Sequence, residues 1–180
     1  SNSVWKRKIA PLIIKKIRIP KIEKLRQAMP SKQFRGTLLD FQREGLDFLI
    51  KSSGNALLAD EMGLGKTVQT LAYLSKEKNA FPALIVAPLV TLTNWQREIA
   101  KFLKKKGKNG KVVEGESPSS TMIRNGKLAD IGEYDFYIIN YELLAKRLPD
   151  LHNLGIRSLV CDEVQHLRSK TTQKYAAVKE

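Results

Sequence analysis

Apolar residues in this chain follow two patterns: short unbroken runs, and longer stretches in which they return every three or four positions. The runs at residues 56–59, Ala83–Ala87, Phe136–Asn140 and Ser158–Cys161, with a shorter one at Val112 and Val113, read as strands, most of them buried on both faces. Helical spacing places Leu39, Leu46, Leu49 and Ile50 on one face of a helix that opens on the capping-box pattern of residues 37–40 and ends near Gly54. A second helix follows Gly65 with Thr67, Val68, Leu71, Ala72 and Leu74. Thr91 caps a third, whose stripe is Leu92, Trp95, Ile99, Phe102 and Leu103. Weaker helical patterns occupy residues 121–129, after the polar loop 117–120, and residues 142–147, which stop before Pro149. Ahead of all these, residues 11–19 suggest a strand and residues 20–29 a short helix. Strands alternating with helices predict an α/β fold, a mostly parallel sheet flanked by helices on both faces in three α/β/α layers.

One strand-to-helix junction carries a recognisable chemistry. Between the run at 56–59 and the helix after Gly65 lies Asp60, Glu61, Met62, Gly63, Leu64, Gly65, Lys66 and Thr67. Gly63 and Gly65 let the backbone turn tightly and aim its N–H groups at phosphate oxygens, where the following helix presents its positive end. Lys66 adds a mobile charge for the β- and γ-phosphates, and the Thr67 hydroxyl is placed to ligand Mg²⁺. The usual pattern for such a loop opens with a glycine five positions before the glycine of the Gly-Lys pair; here Asp60 occupies that place.

A second pair of carboxylates, Asp162 and Glu163, follows the last apolar run. Ligands of a parallel sheet collect outside the carboxyl ends of its strands, so this pair and Lys66 are expected at one edge. There Asp162 would hold Mg²⁺ and Glu163 would polarise the attacking water. Gln42 lies in the first turns of the helix upstream; its carboxamide can accept from adenine N6–H and donate to N7. The chain has no Asn-Lys-x-Asp guanine signature, which favours ATP over GTP.

Composition refines the picture. With 180 residues and 42% hydrophobic content the chain suits one globular α/β domain, and no apolar run approaches the roughly 18 residues of a membrane helix. Its single cysteine, Cys161, excludes an internal disulfide and sits among apolar neighbours, as a packing residue would. No metal cluster around His152 or His166 is evident. The net charge of +14 is concentrated at the start: up to Arg35, the cations Lys6, Arg7, Lys8, Lys15, Lys16, Arg18, Lys21, Lys24, Arg26, Lys32 and Arg35 are opposed by Glu23 alone. Such a field attracts polyanions, nucleic acid first among them; a solvated face or the flank of a neighbouring domain is the competing reading. Residues 1–36 are therefore set apart as a basic flanking segment from the domain at 37–180.

Taken in order, these stretches resemble the Swi/Snf ATPases of helicase superfamily two, specifically their first RecA-like lobe. Residues 38–49 (LLDFQREGLDFL) look like the glutamine-containing segment and residues 60–67 (DEMGLGKT) like motif I. Residues 87–102 (APLVTLTNWQREIAKF) resemble motif Ia, 134–144 (YDFYIINYELL) motif Ib and 162–169 (DEVQHLRS) motif II. Motif II departs from the commoner Asp-Glu-Ala-His or Asp-Glu-Gly-His by Val164 and Gln165, which leaves the coupling contact made at Gln165 in question.

The resemblance implies a RecA-like P-loop NTPase lobe that binds ATP and Mg²⁺, with Gln42 as its adenine reader, in a motor that translocates on double-stranded DNA and remodels protein–DNA complexes. It implies DNA backbone near Asn94 and Trp95, or Asn140 and Tyr141, although Trp95 falls on the apolar helix face and so reads better as core. It also implies a second RecA-like lobe, which with motif III would make this chain a lobe incomplete at its C-terminus. A cytoplasmic site in a prokaryote or a nuclear one in a eukaryote would follow, with no membrane. Another superfamily-two motor, such as an RNA helicase or restriction translocase, is the nearest alternative; a nucleotide-gated binding module and a scaffold with a vestigial site are the others.

Duplex DNA is expected to bind weakly and without sequence preference, since lysine and arginine contacts to phosphate act chiefly by releasing counterions. Changing Lys15, Lys16, Arg18 and Lys21 to glutamine should flatten the dependence of log affinity on log salt. An unchanged slope would place the DNA contacts elsewhere on the lobe.

Overall fold

The computed structural model describes residues 29–60, 63–107, 109–124 and 132–164. Its main sheet has four parallel strands in the order β4–β5–β1–β6, where β1 is Ala83–Ala87, β4 Ser120–Met122, β5 Phe136–Asn140 and β6 Ser158–Cys161. Helices α1 (Asp40–Lys51), α2 (Lys66–Lys76), α3 (Leu92–Phe102) and α4 (Tyr141–Leu151) surround it. Strands β2 (Lys105–Lys106) and β3 (Val112–Val113) form a separate antiparallel hairpin.

Side chains of successive strand residues point to opposite faces, and β1 divides accordingly. Ala83, Ile85 and Ala87 pack with Phe136 and Ile138 against Leu46 and Leu49 of α1, Leu71 and Leu74 of α2, and Trp95 and Ile99 of α3. Leu84 and Val86 join Tyr137 and Ile139 on the other face, under Tyr141, Leu143, Leu144 and Leu151 of α4. Every β1 side chain is buried, which is why its sequence is an unbroken apolar run rather than an alternating one. The result is the expected three-layer α/β/α arrangement.

The strands β1, β5 and β6 have the boundaries expected from their apolar runs, and the stripes of α2 and α3 turn to the core, with Leu71, Ala72, Leu74, Leu92, Trp95, Ile99 and Leu103 buried and Val68 and Phe102 partly so. Four expectations need correction. Residues 56–59 form no strand: with β6 they line one cavity instead of pairing with it, and Leu57 is 55% exposed. The run is apolar on both faces, the pattern of an interior strand, and at this position no described strand covers its far side. Residues 121–129 do not begin a helix, because Ser120–Met122 pairs in parallel with Phe136, Tyr137 and Ile138, and Ile123 is buried beneath α4. The Asp135 carboxylate fixes that edge by accepting from Ser119 N at 2.8 Å and Ser119 Oγ at 2.9 Å. Val112 and Val113 do form the short strand expected of them, in the hairpin, beside which Lys104–Glu114 and Lys105–Glu116 pair.

Pro149 does not stop α4. It sits in the last turn, after which the chain tightens into a 3₁₀ turn at His152–Leu154 and leaves through Gly155 at φ 61°. Finally, neither threonine caps as expected. The first helix starts at Asp40 with Leu39 outside it and 59% exposed; Gln42 Oε1 accepts from Leu39 N at 3.0 Å, the backward half of a capping box. Thr91 Oγ1 donates to Pro88 O within a 3₁₀ turn. The strand and helix expected before Pro30 lie outside the described residues, save Met29, which is not helical.

Ile85 is 0% exposed at the centre of the sheet, whereas Leu159 on β6 is 46% exposed. Ile85→Ala should therefore cost about 2–5 kcal/mol in chemical unfolding, and Leu159→Ala under about 1 kcal/mol. Equal losses would mean that β6 is covered in solution.

Candidate nucleotide site

Strands β1, β5 and β6 run in the same direction, so Ala87, Asn140 and Cys161 end at one edge of the sheet. Asp162 follows there, its N–H donating to Val86 O at 2.8 Å. A cavity of about 970 Å³ opens between this edge and the segment leading into α2. It is lined by Asp60, Lys66, Thr67, Asp162 and Glu163, so the structure brings together the two motifs that sequence places 95 residues apart at Thr67 and Asp162.

The loop before α2 has the backbone that its glycines allow. Gly63 and Gly65 take φ 87° and 73°, left-handed values that strain any other residue, and Gly65 is the N-cap of α2. Space around Gly63 is open, while a Cβ on Gly65 would meet Gln42 Nε2 at 2.5 Å. Gln42 thus lies against the loop: its Nε2 donates to Leu64 O at 3.5 Å while its Oε1 serves Leu39 N. Lys66 Nζ donates to Asp60 O at 2.8 Å, folding back across the loop's mouth. Glu61 and Met62 lie outside the described residues, as does Gln165.

Asp60, standing where the usual loop has glycine, has a defined partner. Its Oδ2 accepts from Gln69 Nε2 at 3.0 Å, and the same nitrogen donates to Leu64 O at 3.3 Å. Gln69 is 0% exposed and clasps both limbs of the loop from beneath. Its Oε1 is buried with no hydrogen-bond partner among the described residues. Room for it comes from Gly45 on α1, where a Cβ would fall 1.7 Å from Gln69 Oε1. Sequence reasoning missed Gln69, although a glycine inside an amphipathic helix is itself a signal of close approach.

Asp162 is held from three sides. Besides its N–H bond, its carbonyl accepts from Tyr141 Oη at 2.7 Å and its Oδ2 from Trp95 Nε1 at 2.9 Å. Trp95 is 3% exposed and Tyr141 1%, so neither side chain lies on a surface where DNA could touch it. Trp95 is thus core, as its place on the apolar helix face requires, and the expectation of a DNA contact at Tyr141 is corrected; their apolar bodies fill the two cores and their polar tips meet at the acidic strand end. Asn94, next to Trp95, is exposed, and Asn140 caps α4 by accepting from Leu143 N at 2.9 Å. Glu163 has φ 53°, an uncommon value for a residue with a side chain. Cys161 is half-buried against the α4 cluster, and burial pushes its thiol up to about 11 against the lowering effect of a Tyr141 hydrogen bond. Burial, followed by the neighbouring Cys161 and Asp162, raises the Tyr141 phenol as well.

The donor set fits a triphosphate with one Mg²⁺. Lys66 and a helix N-terminus face the same cavity as the Thr67 hydroxyl and one carboxylate pair, and Mg²⁺ is commonly held by one or two protein oxygens with phosphates and water completing the shell.

Comparisons with known proteins bear on the family and the fold. Residues 41–180 match the family described as SNF2-related domain. The chain is 33% identical over 152 residues to the CHD3-type chromatin-remodeling factor CHR7 of Arabidopsis thaliana, covering 79% of this chain and 12% of that protein. It is 30% identical over 161 residues to chromodomain-helicase-DNA-binding protein 8 of Homo sapiens, covering 81% of this chain and 6% of that protein. Among solved structures it resembles the Sulfolobus solfataricus SWI2/SNF2 ATPase core in complex with dsDNA, with TM-score 0.67 and 28% identity, over 82% of this chain and 30% of that one. The chain thus spans about a tenth or less of these curated relatives.

Gly45→Ala should displace Gln69 and destabilise the chain by about 1–3 kcal/mol, the usual cost of overpacking. Gly45→Ala combined with Gln69→Ala should lose less than the sum of the single changes in urea unfolding. Strict additivity would show that the two sites do not contend for the same space.

Proposed function

The chain belongs to the SNF2-related family, and from that premise we propose that it is the ATP-binding lobe of a DNA-dependent ATPase that translocates on double-stranded DNA and remodels protein–DNA complexes. The observation that carries the reading is the single cavity onto which Lys66, Thr67, Asp162 and Glu163 all open. Lys66 would leave Asp60 O for the β- and γ-phosphates, while N–H groups at the start of α2 receive the remaining phosphate charge. Bound Mg²⁺ would neutralise charge developing on the phosphoryl group, with Thr67 and Asp162 as its protein-side oxygens. Glu163 would accept the proton of the attacking water. Gln42, already against Leu64 and Gly65, would turn its carboxamide to the adenine edge.

The relative solved with dsDNA supports duplex DNA as the polymer. The relatives named for chromatin remodelling support a protein–DNA complex as the thing moved, and a nuclear site if the source is eukaryotic. Exposed Asn94 and the basic segment before residue 37 remain the side chains offered to DNA. Arg35 is anchored to the lobe, its guanidinium donating to Ala100 O and Glu116 O. A second RecA-like lobe would supply the arginines that complete phosphoryl transfer.

The chain alone should bind ATP and turn it over barely above background, because a supplied arginine is worth on the order of 10³–10⁵ in rate. Lys66→Ala should weaken ATP binding by about 1.5–3 kcal/mol in calorimetry, as loss of a charge-assisted contact. Unchanged affinity would sink the phosphate-loop assignment. Robust Lys66-dependent phosphate release with duplex DNA would show instead that one lobe holds a complete site.

A further inference from the structure

Two buried aromatic residues from opposite faces of the sheet converge on Asp162, and their bonds differ in kind. Tyr141 Oη holds the backbone carbonyl, whereas Trp95 Nε1 donates to the carboxylate itself, at 2.9 Å. An indole N–H buried in a core needs an acceptor, and a carbonyl or hydroxyl would satisfy it at no cost to the site. Here it takes one of the two carboxylate oxygens of a residue that lines the same cavity as Lys66 and Thr67. That bond restrains rotation of the carboxylate and leaves its other oxygen for a second partner. Because Mg²⁺ demands near-octahedral geometry, a carboxylate free to rotate would hold it or its water less well.

We propose that Trp95 is a positioning residue for Mg²⁺, orienting the Asp162 carboxylate through its indole N–H. The inference rests on the reading of Asp162 as the metal-side carboxylate. Trp95→Phe keeps an aromatic body in the core and removes the donor.

Calorimetry of ATP binding by the full chain, with EDTA and with Mg²⁺, separates the possibilities. The Trp95→Phe chain should bind ATP in EDTA as the parent does, yet need roughly tenfold more Mg²⁺ to reach the tighter complex, the usual scale for losing an outer-shell partner. If Asp162→Ala abolishes the Mg²⁺ gain and Trp95→Phe leaves it intact, Trp95 is only core and this inference fails alone. If Asp162→Ala also leaves the gain intact, the metal assignment fails and this inference with it. Should Trp95→Phe not unfold cooperatively, Trp5→Phe leaves Trp95 as the remaining tryptophan. Mg²⁺ added to that ATP-saturated chain should change its emission at the concentration found by calorimetry, and not after Asp162→Ala; a silent signal would overturn the proposal.

Discussion

Parallel pairing of β1 with β6 is the constraint from which the site follows. Once Ile85 lies beside Val160 and Val86 beside Cys161, the next N–H, that of Asp162, falls on Val86 O. The acidic strand end is then committed to the edge where the chain turns into α2. Each of the three helices on one face and the one on the other is placed by burying its stripe on alternate residues of β1 and β5. The two cores are thereby held apart by a sheet only one residue thick, and Trp95 and Tyr141 reach past its end from either side.

The loop before α2 is supported differently, by polar groups taken out of water. Gln69 spends its amide nitrogen on Asp60 and Leu64 and leaves an oxygen buried without a partner among the described residues. A group in that state costs on the order of 1–3 kcal/mol, which a fold tolerates where a fixed geometry matters. Asp60 is intelligible in these terms. The usual loop needs no side chain at that place, whereas this one uses a carboxylate to tie the start of the loop to the helix that follows it.

What sequence revealed was whatever depends on near neighbours. Ala83–Ala87, Phe136–Asn140 and Ser158–Cys161 announce themselves because a strand covered on both faces has no polar positions to spare, and Gly63, Gly65, Lys66 and Thr67 because their chemistry is contiguous. What it concealed depends on distant partners. Ser120–Met122 is too short and mixed to read as a strand until Phe136–Ile138 lies beside it. Residues 56–59 look like a strand by themselves and lack only the neighbour. Trp95 was legible as core, but its bond to an acid 67 positions away is a property of the folded sheet.

The strand order has a consequence for the chain as it is made. β1 is central, yet the partners of Ile85 are Ile138 and Val160, about 50 and 75 residues downstream. At synthesis rates of about 5–20 residues per second, its wholly apolar sequence emerges from the ribosome several seconds or more before either neighbour exists. During that interval α1, α2 and α3 can gather against one face, because their contacts are close in sequence, while the other face stays bare until α4 arrives. The nascent lobe therefore passes through a stage with one core assembled and a naked strand edge. A chaperone would meet the side of the sheet that α4 finally covers.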